Sequence, residues 1–175
     1  MVHAEASAFA QGSSKKDIYA QVLEQASALF EGQRNWVCNL SNTASLLYHG
    51  LRSLPSPSAA VNWAGFYVID PKNPGQLILG PFHGQVACQT IAFGKGVCGA
   101  AAQSGATQLV EDVEQFPGHI ACDSQSRSEI VVPIRQEGKV VAIIDIDCAE
   151  LKGFDLEDRV ALERLANLLA ESCEF

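Results

Sequence analysis

Hydrophobic positions recur at helical spacing in some segments and gather into aromatic and β-branched runs in others, and the change between the two marks out the elements. From Lys15 to Glu31, Ile18, Val22, Leu23 and Leu29 recur at near-helical spacing among Ala, Gln and Glu. This predicts an amphipathic helix, with Ser13 and Ser14 as caps and Gly32 as its stop. A second helix is predicted from Asn35 to Arg52, with Leu40, Ala44, Leu47 and Leu51 on one stripe, ended by Leu54-Pro55-Ser56-Pro57-Ser58. The pattern then changes. Val61 to Asp70 is aromatic and β-branched and reads as a strand. Pro71 to Gly75 reads as a turn, Gln76 to Phe82 as a second strand and Val86 to Ala92 as a weaker third. A short helix of small residues follows over Val97–Gln103, then a brief strand over Thr107–Val110. Glu111 to Arg127 has no periodicity, and a loop of that length in a compact domain is more often functional than idle. Strands at Glu129–Arg135 and Lys139–Asp147 flank Gln136-Glu137-Gly138, and a helix capped by Asp155 runs from Leu156 to about Cys173, with Leu165, Leu168 and Leu169 as its stripe. The order predicts an α+β domain, a mostly antiparallel sheet with helices packed on it.

Composition narrows the partners. The chain has 175 residues, room for one domain with a full core. Twelve basic against twenty acidic residues give a net charge of −8, which argues against nucleic acid and anionic membrane as partners. No apolar run reaches the ~18 residues of a spanning helix. Residues 1–14 lack Lys and Arg and read as a flexible leader rather than a secretory signal, so the domain is expected to span 15–175. Six cysteines without a CxxC pair fit free thiols in a reducing, cytoplasmic setting better than a zinc site. Residues 150–175 hold seven acidic and three basic side chains and read as a solvated helix face.

The turn at Gly138 decides where three carboxylates go. A two-residue loop pairs Gln136 with Lys139 and sets Glu129 opposite Ile146. A three-residue loop pairs Arg135 with Lys139 and sets Glu129 opposite Asp145, with Arg127 opposite Asp147 if pairing extends that far. Gly138 suits the left-handed position of the three-residue loop, which is therefore the expected register. Asp145 and Asp147 share a face in either case, because strand side chains alternate. The expectation is that Glu129, Asp145 and Asp147 cluster at the open end of this hairpin. Pro133 should leave one side of its strand incompletely paired. Three close carboxyls read as a solvent-exposed acidic end salt-bridged to Arg127, as a divalent metal site, or as a general acid of raised pKa.

Among the thiols, Cys38, Cys148 and Cys173 read as small buried hydrophobes. Cys98 lies near a helix start, where unsatisfied N–H groups favour a thiolate. Cys88 precedes it by ten residues. Cys122 lies in the aperiodic loop, just before the acidic hairpin, an unusual place for a packing residue.

Trp63-Ala64-Gly65-Phe66-Tyr67, Leu79-Gly80-Pro81-Phe82-His83-Gly84, Phe93-Gly94-Lys95-Gly96-Val97-Cys98-Gly99, His119-Ile120-Ala121-Cys122-Asp123, Ser126-Arg127-Ser128-Glu129-Ile130-Val131-Val132-Pro133 and Asp145-Ile146-Asp147 together resemble the free methionine-(R)-sulfoxide reductases, which are single GAF domains. The resemblance covers roughly residues 15–173. It implies a GAF domain with a central, mostly antiparallel sheet of about six strands and helices on its faces. It implies an oxidoreductase acting on free methionine-(R)-S-oxide, with Cys122 as nucleophile, Cys88 as the principal resolving thiol and Cys98 as an additional one. By the same resemblance Glu129, Asp145 and Asp147 surround the sulfoxide oxygen and the substrate's polar groups, and Trp63 and Tyr67 line the pocket for the S-methyl end. No metal or organic cofactor is implied. Thioredoxin is the implied reductant, and a homodimer the implied assembly. Competing readings are a GAF sensor that binds a small molecule without turnover, a thiol redox sensor, and a metalloprotein built on Asp145 and Asp147.

Overall fold

The computed structural model describes residues 8–10, 12–118 and 125–175. Helices α1 (Lys15–Phe30) and α2 (Trp36–Arg52) come first. Strands β1 (Val61–Asp70), β2 (Asn73–Gly84) and β3 (Thr90–Ala92) follow, then α3 (Gly96–Ser104) and β4 (Gln108–Val110). The chain closes with β5 (Ser128–Gln136), β6 (Lys139–Cys148) and α4 (Leu156–Ser172). The six strands form one antiparallel sheet in the order β3-β2-β1-β6-β5-β4. The domain is α+β, as the pattern predicted.

Period two divides each strand between two cores. Ala64, Phe66 and Val68 of β1, Ala142, Ile144 and Ile146 of β6, and Ile130, Val132 and Ile134 of β5 pack with α1, α2 and α4 in the larger core. Trp63, Tyr67, Val131 and Ile143 point the other way, into a smaller core closed by Val97, Cys98, Ala101 and Ala102 of α3. The predicted stripe of α2 is buried throughout, and Ser14 and Asp155 cap α1 and α4 through capping boxes.

Several expectations are corrected. β2 begins at Asn73, because Asp70 pairs with Asn73 and the turn needs only Pro71 and Lys72. Of the third strand only Thr90–Ala92 pairs with β2. Cys38 is exposed, on the side of α2 away from its buried leucines. Asp158, assigned to a solvated face, is fully buried; its carboxylate accepts hydrogen bonds from Tyr19 Oη at 2.8 Å, Lys15 Nζ at 2.6 Å and the Asp155 N–H at 2.7 Å.

The hairpin register also differs. Gln136 pairs with Lys139 across a two-residue turn, with Glu137 at φ 50° and Gly138 at φ 78°. Positive φ at both positions is the primed turn that matches strand twist. That turn alone would put Glu129 opposite Ile146. A β-bulge intervenes: Arg135 pairs with Val140 and Ile134 with Ala142, so Val141 is the extra residue. Glu129 therefore lies opposite Asp147, and Val131 opposite Asp145. The expected face is right although the expected partners are not, because bulge and turn together restore the parity of the three-residue loop. Arg127 does not face Asp147; it is exposed, and its N–H donates to the Cys148 carbonyl at 2.8 Å. β4 pairs only with Glu129–Val131, so Pro133 lies beyond the strand on that side, as expected.

Candidate active site

The smaller core holds the candidate site. β1 lies between β2 and β6, with Trp63 opposite Asp147, Gly65 opposite Asp145 and Tyr67 opposite Ile143. These residues share the face that carries Glu129 and Val131 on β5. Trp63 and Tyr67 are buried and their rings stack at 5.9 Å. Trp63 also stacks on Phe82 at 5.2 Å and donates its indole N–H to the Gln85 carbonyl at 3.1 Å. Phe82 belongs to the Leu79–Gly84 motif, but nothing in its spacing identified it as Trp63's support.

Gly65 makes this stacking possible. A Cβ at position 65 would stand 2.4 Å from Phe82 Cβ and 2.7 Å from the Trp63 ring. Gly65→Ala is expected to cost about 1–3 kcal/mol through overpacking. Urea unfolding measures that loss, and an unchanged midpoint would show that the aromatic pair can move aside.

The acidic trio is not a solvated strand end. Glu129 is 6% exposed and Asp145 5%, while Asp147 is half-buried. Cys98, third residue of α3, is also buried, and its Sγ donates to Glu129 Oε1 at 3.6 Å. One oxygen each of Glu129 and Asp145 and the Cys98 sulfur lie within 4.8 Å of one another. Asp145 Oδ1 is buried without a hydrogen-bond partner. Among the described residues no ion pair reaches Glu129 or Asp145.

Buried carboxyls without a cation hold protons. Burial, then the charges of Asp145 and Asp147, push Glu129 well above the ordinary carboxyl range. Burial raises Asp145 to about 6, opposed by hydrogen bonding within its cluster with Cys98 and Glu129. The expected thiolate at Cys98 is corrected: burial, then Asp145 and Glu129, push this thiol well up, and two carboxyls at contact outweigh three free N–H groups of a short helix. Tyr67 is raised by burial and by Asp145, and its hydroxyl stays protonated.

Thus Glu129, Asp145 and Asp147 share one face of the sheet as expected, Trp63 and Tyr67 lie on the same face, and Cys98 of α3 packs against it. Cys88 is disulfide-bonded, while Cys38, Cys98, Cys148 and Cys173 are free. Cys122, the expected nucleophile, lies outside the described residues. No helix among the described residues is long and apolar enough to cross a membrane.

Comparison with known proteins agrees with this architecture. The GAF domain profile matches residues 14–172. The chain is 51% identical over 174 residues to the free methionine-R-sulfoxide reductase of Saccharomyces cerevisiae, covering 99% of this chain and 95% of the relative. It is 39% identical over 152 residues to the free methionine-R-sulfoxide reductase of Escherichia coli, covering 87% and 86%. The X-ray structure of free methionine-R-sulfoxide reductase from Neisseria meningitidis, in complex with its substrate, superposes with a TM-score of 0.84 at 39% identity, over 94% of each chain. A sheet with a buried carboxyl–thiol cluster beneath stacked aromatic rings, and this likeness over nearly the whole length, place the chain in the GAF domain family and, within it, among the free methionine-R-sulfoxide reductases.

Proposed function

We propose that this chain reduces free L-methionine-(R)-S-oxide to L-methionine, with Cys122 as the nucleophile. The observation that carries the reading is the buried Glu129–Asp145 pair, which has no cation beside it among the described residues and so retains a proton near neutral pH. Sulfoxide reduction needs attack on sulfur and a proton for the departing oxygen. The Cys122 thiolate attacks the sulfoxide sulfur, the carboxyl pair protonates the oxygen, and the oxygen passes to Cys122 as a sulfenic acid while methionine leaves. A second thiol condenses with the sulfenic acid, releasing water and forming a disulfide. The disulfide at Cys88 and the free, buried thiol at Cys98 favour Cys88 for this step. An external dithiol, thioredoxin, returns both thiols to the reduced state.

The remaining groups divide the substrate. The faces of Trp63 and Tyr67 suit the S-methyl end. Asp147, half-buried and at the rim of the carboxyl pair, suits the ammonium of a free amino acid. Capture of that ammonium would exclude a residue within a polypeptide. No organic cofactor or resident metal is required. Four free cysteines among those described fit a reducing, cytoplasmic setting, and a homodimer is the assembly proposed by family likeness.

The test is turnover of the (R) and (S) epimers with thioredoxin, thioredoxin reductase and NADPH. Turnover of the (R) form alone, reduced to background in Cys122→Ser, is expected. In a single turnover without reductant, Cys88 should become protected from alkylation while Cys98 stays modifiable once unfolded. No turnover of either epimer by folded, reduced protein would leave the ligand-binding GAF module as the reading.

A further inference from the structure

We propose that the reduced protein binds a divalent cation of the zinc class through Cys98 Sγ, Glu129 and Asp145, a site distinct in chemistry from the substrate contacts although it overlaps them in space. Three observations point there independently of any activity. All three side chains are more than nine-tenths buried, and their ligand atoms lie within 4.8 Å of one another. The Cys98 Sγ–Glu129 Oε1 separation is 3.6 Å. With Zn–S about 2.3 Å and Zn–O about 2.1 Å, two ligands at a tetrahedral angle stand roughly 3.6 Å apart. Finally, Asp145 Oδ1 is buried and has no hydrogen-bond partner, so a lone pair in this cluster is free to coordinate.

The donor set chooses the metal. One sulfur and two carboxylate oxygens suit a borderline or soft cation of low coordination number. Calcium needs six to eight oxygens and magnesium keeps an octahedron of oxygens, neither of which a buried thiol supplies. Three elements hold the ligands, α3, β5 and β6, and each is fixed by packing in the smaller core. Coordination displaces the thiol proton of Cys98 and the proton held by the carboxyl pair, both to solvent, and the cation neutralises two of the three negative charges that result. Water or a substrate atom completes the fourth position. Under the reductase reading, the bound cation occupies the place of the sulfoxide oxygen and blocks the proton donor, so zinc inhibits and a chelator restores activity.

The experiment reads binding and not turnover, so its failure leaves the reductase reading standing, and loss of turnover would not touch it. Cadmium, whose thiolate complex absorbs in the ultraviolet, is titrated into reduced protein carrying Cys38→Ser, Cys88→Ser and Cys122→Ser, which leaves Cys98 beside the two structural thiols. A saturable band at one equivalent is expected. Adding Cys98→Ser to this background should abolish the band, and adding Glu129→Gln instead should weaken binding at least tenfold. A band that survives Cys98→Ser, an affinity unchanged by Glu129→Gln, or no saturable band in the parent would each overturn the site. Unfolding midpoints measured alongside confirm that every variant tested is folded.

Discussion

Glu129→Gln is expected to lower kcat/KM by about 10²–10⁴-fold, the usual contribution of a positioned proton donor or acceptor. It should also make the protein more stable in mild alkali, and the two effects have one cause. Glu129 and Asp145 are buried, face Asp147, and among the described residues have no ion pair. Burial, then mutual repulsion, raises Glu129, and burial raises Asp145 to about 6. The native state therefore binds more protons than the unfolded chain between the ordinary carboxyl range and these raised values. The sign follows: these groups favour the native state at acid pH, and that contribution is lost as pH rises from about 4 through 6 and beyond. A glutamine keeps the shape and donates without ionising, so it removes part of this loss. The pH–rate profile of the native chain should carry a descending limb on the alkaline side, set by the pair as a unit. The limb should move in Glu129→Gln, where Asp145 titrates alone. A profile with only an ascending thiol limb would exclude an obligatory carboxylic acid. A melting temperature at pH 8 lower in the variant than in the parent would show that Glu129 is stabilised by contacts and not strained by charge.

The second large effect is on stability. Asp158→Ala should destabilise the fold by about 3 kcal/mol, at the low end for breaking a buried charged pair. Asp158 is fully buried and accepts from Tyr19, Lys15 and the Asp155 N–H, tying α1 to the start of α4. Alanine leaves the Tyr19 hydroxyl buried without an acceptor. Lys15 keeps Asp155 at 2.8 Å, which limits the loss. For a domain of this length that corresponds to a drop of roughly 6–12 °C in melting temperature. Asp158→Asn retains an acceptor and should lose less. Equal losses in the two variants would mean that the charge, rather than the hydrogen bonds, holds the helices together. Turnover per folded molecule should be unchanged in both, because α1 and α4 pack on the opposite face of the sheet from the candidate site.

What the sequence determined by itself was period and local chemistry. Period 3.6 located α1, α2 and α4, and runs rich in aromatic and β-branched residues located β1, β5 and β6. Those signals are carried by each segment's own residues, so no partner is needed to read them. Asp145 and Asp147 shared a face for the same reason. The tertiary structure decided whatever depended on a second segment. It put an extra residue at Val141, which sets Glu129 opposite Asp147, and a bulge leaves no mark in composition. It buried Asp158, because Tyr19 and Lys15 lie about 140 residues away in the chain and supply its partners only when α1 meets α4. It also reversed the character of Cys98. A helix start favours a thiolate locally, but β5 and β6 bring two buried carboxyls against the sulfur, and charge at contact in a dry core outweighs a partial dipole.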